Sequence, residues 1–256
     1  MQADPTQRDQ IRVLRPATPR EAVALAKTTG APYIAGGSGL QPVWERNGSW
    51  PRQIVALNPG WPGFRGIEET GQGLRVGALT TLGELAQHPL IHRYLPCLPE
   101  FMDQVAGPGV RHLGTVGGNL CAGGDLSALF LALDAQVHRL SDDDPQEQCQ
   151  PLEDYSAGDG TLMTALSIPD SRQWRIGLEK LGYRERFSPP RATVACVHDG
   201  QTMRRAVCGE GGPARLRSSE TDQDTELTAG GWQDPALRLA IQRMLAFLQE
   251  DIARDH

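Results

Sequence analysis

Two short runs carry residue types that suit a ligand better than a core. The first, "AGGSGL", spans Ala35 to Leu40 and follows the apolar stretch "APYI". The second, "TVGGN", spans Thr115 to Asn119 within "HLGTVGGNLCAGGD". Glycine inside a regular element is less stable than alanine by roughly 0.5–1 kcal/mol, so such clustering calls for a sharp turn or a ligand against the backbone. Neither run is a G-x-G-x-x-G dinucleotide fingerprint, and neither carries the Lys-Ser/Thr of a P-loop. Together they suit a diphosphate. Bare backbone N–H groups donate to anionic oxygens, and the missing Cβ atoms permit close approach. Ser38, Thr115 and Asn119 add side-chain donors. Asp125 fits two roles: acceptor for a ribose or ribityl hydroxyl, and N-cap of a helix beginning in "LSALFLALD".

No other constellation points to chemistry. Of the histidines, only His88 and His92 have ligand-like spacing, and Pro89 between them argues against a shared helical face. No G-x-S-x-G nucleophile motif occurs, and Ser38 has the wrong spacing for one. The five cysteines (Cys97, Cys121, Cys149, Cys196, Cys208) are odd in number, widely spread and lack a C-x-x-C pair. That pattern argues against a disulfide framework and against an iron–sulfur cluster held by this chain alone. They read as small, mostly buried apolar residues. No catalytic acid, base or nucleophile and no metal ligand is assigned.

The chain has 256 residues and a formal charge of −6. It has no Lys/Arg-rich block, so nucleic acid is not an expected partner. No apolar run reaches membrane-spanning length, and the N-terminus "MQADPTQRDQ" lacks an apolar signal core. A cytoplasmic protein is expected.

The elements that must position the two runs follow from periodicity and capping. Thr18, Pro19 and Glu21 start a helix that Gly30 stops, and a short strand, Tyr33–Ala35, runs into the first glycine run. "QIVALN" reads as a second strand. Leu74–Ala78 is a strand leading to a helix capped by Thr81 with Glu84. "PCLPEFMDQVAG" reads as one helix ending near Gly107. Ser141–Gln150 is polar and acidic and reads as a solvated hairpin or loop. Thr161–Pro169 alternates as a strand. After about residue 170 come three strand-like runs and a helix with Leu237, Ile241, Met244, Leu245, Leu248 and Ile252 at helical spacing.

"AGGSGL", then "RHLGTVGGNL", "DL" and "LALDA", in this order, resemble the FAD-binding medium subunit of the molybdenum hydroxylases, the xanthine dehydrogenase and carbon monoxide dehydrogenase family. "TLMTALSIP", "LEKLGYRERF" and "CGEGGPARLRSSE" extend the likeness over nearly the whole chain. The resemblance implies an α+β fold. A PCMH-type FAD-binding domain of two α/β subdomains (1–172), shared with vanillyl-alcohol oxidase and MurB, precedes a small C-terminal domain of antiparallel sheet plus helix (173–256). By match, Ile34, Ala35, Gly36, Gly37, Ser38, Gly39 and Leu40 wrap the FAD diphosphate. Thr115, Gly118 and Asn119 serve from the second run, and Asp125 matches the family's aspartate. Leu162 falls where a residue packs against the flavin. Lys180 matches a lysine close to the ring in some members, although a solvent-facing strand is the commoner setting for a lysine.

The chain departs from the pattern in three places. "LCAGG" replaces a longer "ADPAAD"-like stretch, Gly-Ser-Gly replaces Gly-Thr-Asp, and the C-terminal region is abbreviated. The implied function is electron transfer. Substrate would be hydroxylated on a large molybdopterin subunit, and electrons would pass through [2Fe–2S] clusters on a small subunit to FAD here, then to NAD or another acceptor. A stand-alone flavin oxidoreductase and an accessory chain that has lost flavin are the alternatives.

Overall fold

The computed structural model describes residues 11–144, 146–184, 187–218 and 222–254. The readings of the N-terminal decapeptide and of His256 fall outside them.

The chain opens with β1 (Arg12–Leu14), α1 (Pro19–Thr29), β2 (Tyr33–Ile34), α2 (Leu40–Asn47) and β3 (Gln53–Ala56). The strands form a parallel sheet in the order β1-β3-β2. Helix α1 begins as its sequence dictates. The Thr18 side chain accepts from the Glu21 N–H, Pro19 occupies the first turn, and Gly30 closes the helix at φ 65°. Its buried face, Ala22, Val23 and Ala26, packs with Val55, Trp61 and Phe64. Helix α2 has no counterpart in the sequence reading. It contains Pro42 in its first turn, where proline is tolerated, and buries no residue.

The middle of the chain supplies β4 (Ile67–Thr70), β5 (Gly73–Gly77), α3 (Leu82–Gln87), α4 (Pro89–Tyr94), α5 (Leu98–Met102), α6 (Pro108–Leu113), α7 (Val116–Cys121), α8 (Leu126–Ala132), β6 (Gln136–Leu140), β7 (Gln148–Pro151) and β8 (Leu162–Pro169). An antiparallel sheet runs β4-β5-β8-β6-β7. The Thr81–Glu84 capping box is complete. The single helix expected to reach Gly107 stops at Met102. Arg111 Nη1 collects the carbonyls of Met102, Val105 and Ala106 at 2.9, 3.1 and 2.9 Å. That satisfies the freed acceptors and lets Ala106 take φ 52°.

The acidic stretch lies at the β6–β7 hairpin, in keeping with the hairpin-or-loop reading. Lys27 Nζ meets Asp142 at 2.9 Å and Asp143 at 3.1 Å, which ties it to α1. Glu147 turns inward and accepts from Arg75 and from the Thr164 hydroxyl.

The last third forms β9 (Arg175–Gly182), β10 (Pro190–His198), β11 (Met203–Gly209), β12 (Ala214–Leu216), α9 (Gln223–Ala229) and α10 (Pro235–Arg254). Four strands, not three, make an antiparallel sheet, β12-β11-β10-β9. Both faces of it are covered. Val194 and Cys196 point to Leu237, Ile241 and Leu245 of α10, while Ala195 and Val197 point to the helices of the middle region. Every residue of α8 is buried, because it lies against the middle core on one side and against β10 and β11 on the other. One core therefore runs across the boundary drawn near residue 170. The cysteines correct their reading. Cys196 and Cys208 are buried, Cys97 is half-buried, and Cys121 and Cys149 are exposed.

Candidate flavin-dinucleotide site

Strand β2 ends at Ile34, and the chain turns through Ala35–Gly39 before α2 begins. Gly37 sits at φ 69°, where a Cβ would also stand 3.3 Å from Ile34 Cδ1. A Cβ on Gly36 would stand 1.7 Å from the Leu113 carbonyl oxygen, so the loop runs directly against the end of α6. A Cβ on Gly114 would stand 3.1 Å from Ser38 Oγ. The two glycine-rich runs, far apart in sequence, thus lie side by side. Among the described residues, the N–H groups of Gly36, Gly37, Ser38 and Gly39 and the Ser38 hydroxyl donate to nothing. Nothing lies within 4 Å of the place a Gly39 Cβ would take, and Leu40 at the start of α2 is exposed. These donors are bare, and beside Gly39 the space is open.

The second run is built differently, which corrects the expectation of free amides there. The N–H of Val116 donates to Thr80 O, that of Gly117 to Ala78 O and that of Asn119 to Thr115 O, all at 2.8–2.9 Å. The Gly118 N–H donates to the Thr115 side chain at 3.1 Å. Thr115 and the residues after it fold into α7 and use their own amides. What remains for a ligand is the Thr115 hydroxyl proton, the Asn119 side-chain amide nitrogen and the bare Cα of Gly118. Gly117 is a packing glycine, since a Cβ would meet Ala78 Cβ at 2.9 Å.

The Asp125 side chain does not cap α8. Asn119 Oδ1, not Asp125, accepts from the Leu126 N–H at 3.0 Å and so caps α8. The Asp125 carboxylate instead accepts from the Thr193 hydroxyl at 2.8 Å and pairs with Lys180 Nζ at 3.0 Å. Lys180 is no surface residue. Its side chain is 3% exposed, and Nζ also donates to the carbonyls of Gln104 (3.0 Å) and Ser188 (2.8 Å). A buried ammonium is sustained only when it is paired and bonded in this way. Cys208 donates to Gly124 O at 3.2 Å, and burial pushes its thiol up to about 12. The shortened "LCAGG" loop is thereby gripped by the C-terminal sheet.

Leu162 is buried at the start of β8, among Val55, Trp61, Phe64 and Leu79. Near it, the Tyr33 hydroxyl donates to Gly160 O at 3.3 Å. Burial, helped by Asp159, pushes that phenol up to about 12. Among the described residues, no group of three or more His, Cys, Asp or Glu side chains is placed to hold a metal ion. No helix of the described chain is long and apolar enough to cross a membrane.

A family model described as the FAD binding domain in molybdopterin dehydrogenase matches residues 9–171. The chain belongs to this molybdopterin dehydrogenase FAD-domain family. It is 36% identical over 120 residues to the carbon monoxide dehydrogenase medium chain of Hydrogenophaga pseudoflava, covering 45% of this chain and 42% of that one. It is 26% identical over 231 residues to the putative xanthine dehydrogenase FAD-binding subunit XdhB of Escherichia coli K12, covering 83% and 78%. The matched part spans less than half the length of the first three curated relatives, at 42%, 37% and 46%. Among solved structures, reconstituted CO dehydrogenase from Oligotropha carboxidovorans superposes with a TM-score of 0.79 at 23% identity, over 95% of this chain and 98% of that one. At that identity the likeness establishes the fold, which is the α+β arrangement expected.

The residues present fit the FAD that names the family. The unpaired amides of Gly36–Gly39, the open space beside Gly39 and the hydroxyls of Ser38 and Thr115 are the kind of donors and clearance that a diphosphate would need.

Proposed function

We propose that this chain is the FAD-carrying electron-transfer subunit of a molybdenum hydroxylase complex of the xanthine dehydrogenase type. The observation that carries this reading is the contact between the two glycine-rich runs, beside four amides that have no partner among the described residues. In this reading the diphosphate rests on the amides of Gly36–Gly39, flanked by Ser38 and Thr115. Bound there, FAD supplies the redox chemistry, taking up electrons and releasing them to an acceptor. The chain binds and orients the cofactor, and no side chain here acts as general acid or base.

Electrons arrive from [2Fe–2S] clusters on a small subunit, the substrate is hydroxylated on a large molybdopterin subunit, and NAD or another acceptor takes the electrons away. The names of relatives as carbon monoxide dehydrogenase medium chain and xanthine dehydrogenase FAD-binding subunit support this. The proposed division is a flavin domain over residues 1–172 and a C-terminal domain over residues 173–256. A cytoplasmic setting belongs to the same reading, and the five free cysteines suit it.

The test is the visible spectrum of the purified protein, with the released cofactor identified, followed by purification with its partners. Bound FAD, together with co-purifying iron and molybdenum, is expected. A chain that binds no FAD when the cofactor is added would end this reading. FAD without iron or molybdenum partners would favour a stand-alone flavoprotein.

A further inference from the structure

The face of the five-stranded sheet turned away from the core carries three side chains in a line. Leu166 and Ile168 point into the core, so Ser167 between them faces the other way. Its Oγ lies 2.6 Å from Nε2 of His138 on β6. The other ring nitrogen, Nδ1, lies 3.4 Å from the carboxylate of Glu147, just before β7. A hydroxyl within reach of an imidazole that a carboxylate holds from behind is the arrangement of an activated nucleophile. A proton on Nδ1 is drawn to Glu147, which leaves the Nε2 lone pair to accept from Ser167. Burial, then Arg75, holds His138 below 6.5, so the ring is neutral near pH 7 and able to take a proton.

The neighbours of Ser167 complete the constellation. The strand register sets Arg75 of β5 directly opposite it on one side and Gln136 of β6 directly opposite it on the other. Directly opposed residues share a face with Cβ atoms about 4.5–5.5 Å apart, so both side chains can reach the oxygen of a carbonyl attacked at Ser167. Arg75 spends Nη2 on Glu147 at 3.0 Å and faces Glu68 with Nε at 3.8 Å, which leaves Nη1 unpaired among the described residues. Gln136 Nε2 gives one proton to Asp134 O at 3.3 Å and keeps a second. The side chains of Arg75 and His138 are 20% and 19% exposed, dry enough to strengthen these interactions and open enough for a small molecule to touch them.

We infer that Ser167, His138 and Glu147 form a second site, which hydrolyses small acyl esters. Ser167 Oγ bonds to the ester carbonyl carbon as its proton passes to His138 Nε2. Arg75 and Gln136 donate to the oxygen that becomes negative. The C–O bond to the leaving alcohol then breaks, and His138 returns the proton to that alcohol. A water, deprotonated by His138, splits the acyl–serine bond, releases the carboxylic acid and restores Ser167. Glu147 touches no substrate and is a positioning residue that fixes the ring. None of these residues belongs to the glycine runs, so the inference does not rest on the FAD reading. No local motif announced the site, because its three members meet only when β6, β8 and the start of β7 pair.

The experiment treats the full-length protein with a fluorophosphonate probe and with 4-nitrophenyl acetate, in wild type, Ser167→Ala, His138→Gln and Glu147→Gln, each confirmed folded by its thermal melt. In wild type, mass spectrometry should find a phosphonyl adduct on the peptide carrying Ser167, and ester turnover should saturate with substrate. Ser167→Ala should lose both. His138→Gln should slow both at least about 100-fold, the lower end of what a general base supplies. Glu147→Gln should keep a slower reaction and move the midpoint of its pH profile down, because Glu147 raises His138 against burial and Arg75. Cys149, opposite His138 on β7, stays a thiol across that range, since burial and Glu147 raise it. Wild-type protein left unlabelled at Ser167, or turnover undiminished in Ser167→Ala, would overturn the inference, and the wild-type labelling decides even where a variant does not fold. An unmoved pH profile in Glu147→Gln would overturn the positioning role of Glu147.

Discussion

Gly36 and Gly39 stand three residues apart and serve different ends. A Cβ at Gly36 would collide with Leu113 O, whereas a Cβ at Gly39 would meet nothing. Gly39 also has φ −97°, which any residue adopts. Gly39→Val is therefore expected to leave the unfolding midpoint nearly unchanged and to abolish FAD retention, since a branched side chain would fill the cradle. A variant that keeps stoichiometric flavin would remove the diphosphate from this loop. Lys180 makes the opposite kind of prediction. Lys180→Met leaves the Asp125 carboxylate buried without its cation, and breaking such a pair is destabilising by about 3–5 kcal/mol. Chemical denaturation of the apoprotein reads this directly, and a change under 1 kcal/mol would mean the pair is hydrated. The sequence carried the types and order of both glycine-rich runs. It could not say that one spends its amides on its own helix, because that depends on Thr80 and Ala78 lying beneath it.

At the scale of elements, the five-stranded sheet carries a polar network on one face. His138 Nε2 lies 2.6 Å from Ser167 Oγ, and Nδ1 lies 3.4 Å from Glu147. Burial first, then the Arg75 guanidinium, holds His138 below its ordinary 6.5. Between that depressed folded value and 6.5 the unfolded chain binds more protons, so stability rises with pH across this window. The contribution is complete above 6.5 and is lost as pH falls through the folded value. Thermal melts between pH 7 and 5 should show a falling midpoint, flattened in His138→Gln. Glu84 and Glu147, both held below 4.5, act in a more acid window, so the steep loss under pH 4.5 should survive the substitution. An identical slope in wild type and variant would exclude His138 as its source. Helix caps and strand alternation were legible because they are local, as at Thr18, Thr81 and the periodic face of α10. The end of α5 was not, because Arg111, from the next helix, takes the last carbonyls.

For the whole molecule, α8 is the part that joins regions. It is buried on all sides and serves both the middle core and the C-terminal sheet. The Asp125–Lys180 pair and the Cys208 contact cross the same junction. The regions are therefore expected to unfold together, and a ligand bound by the first should protect the second. Cys196, buried against α10 far along the chain from the glycine runs, reports this. Saturating FAD should slow its alkylation in moderate urea, read peptide by peptide by mass spectrometry. Unchanged Cys196 labelling, with FAD protecting only the first 172 residues, would mean that the two regions open independently.

The sequence by itself determined the paired glycine runs, the capped starts of α1 and α3, the family they resemble and the absence of a nucleophile or metal motif. These are properties of short segments, where residue type and spacing fix backbone geometry. Only the tertiary structure decided which donors remain free, that Lys180 is a buried counter-ion and not a surface lysine, and that Asn119 rather than Asp125 caps α8. Those outcomes depend on what packs against each group, and burial and pairing are set by residues dozens of positions away.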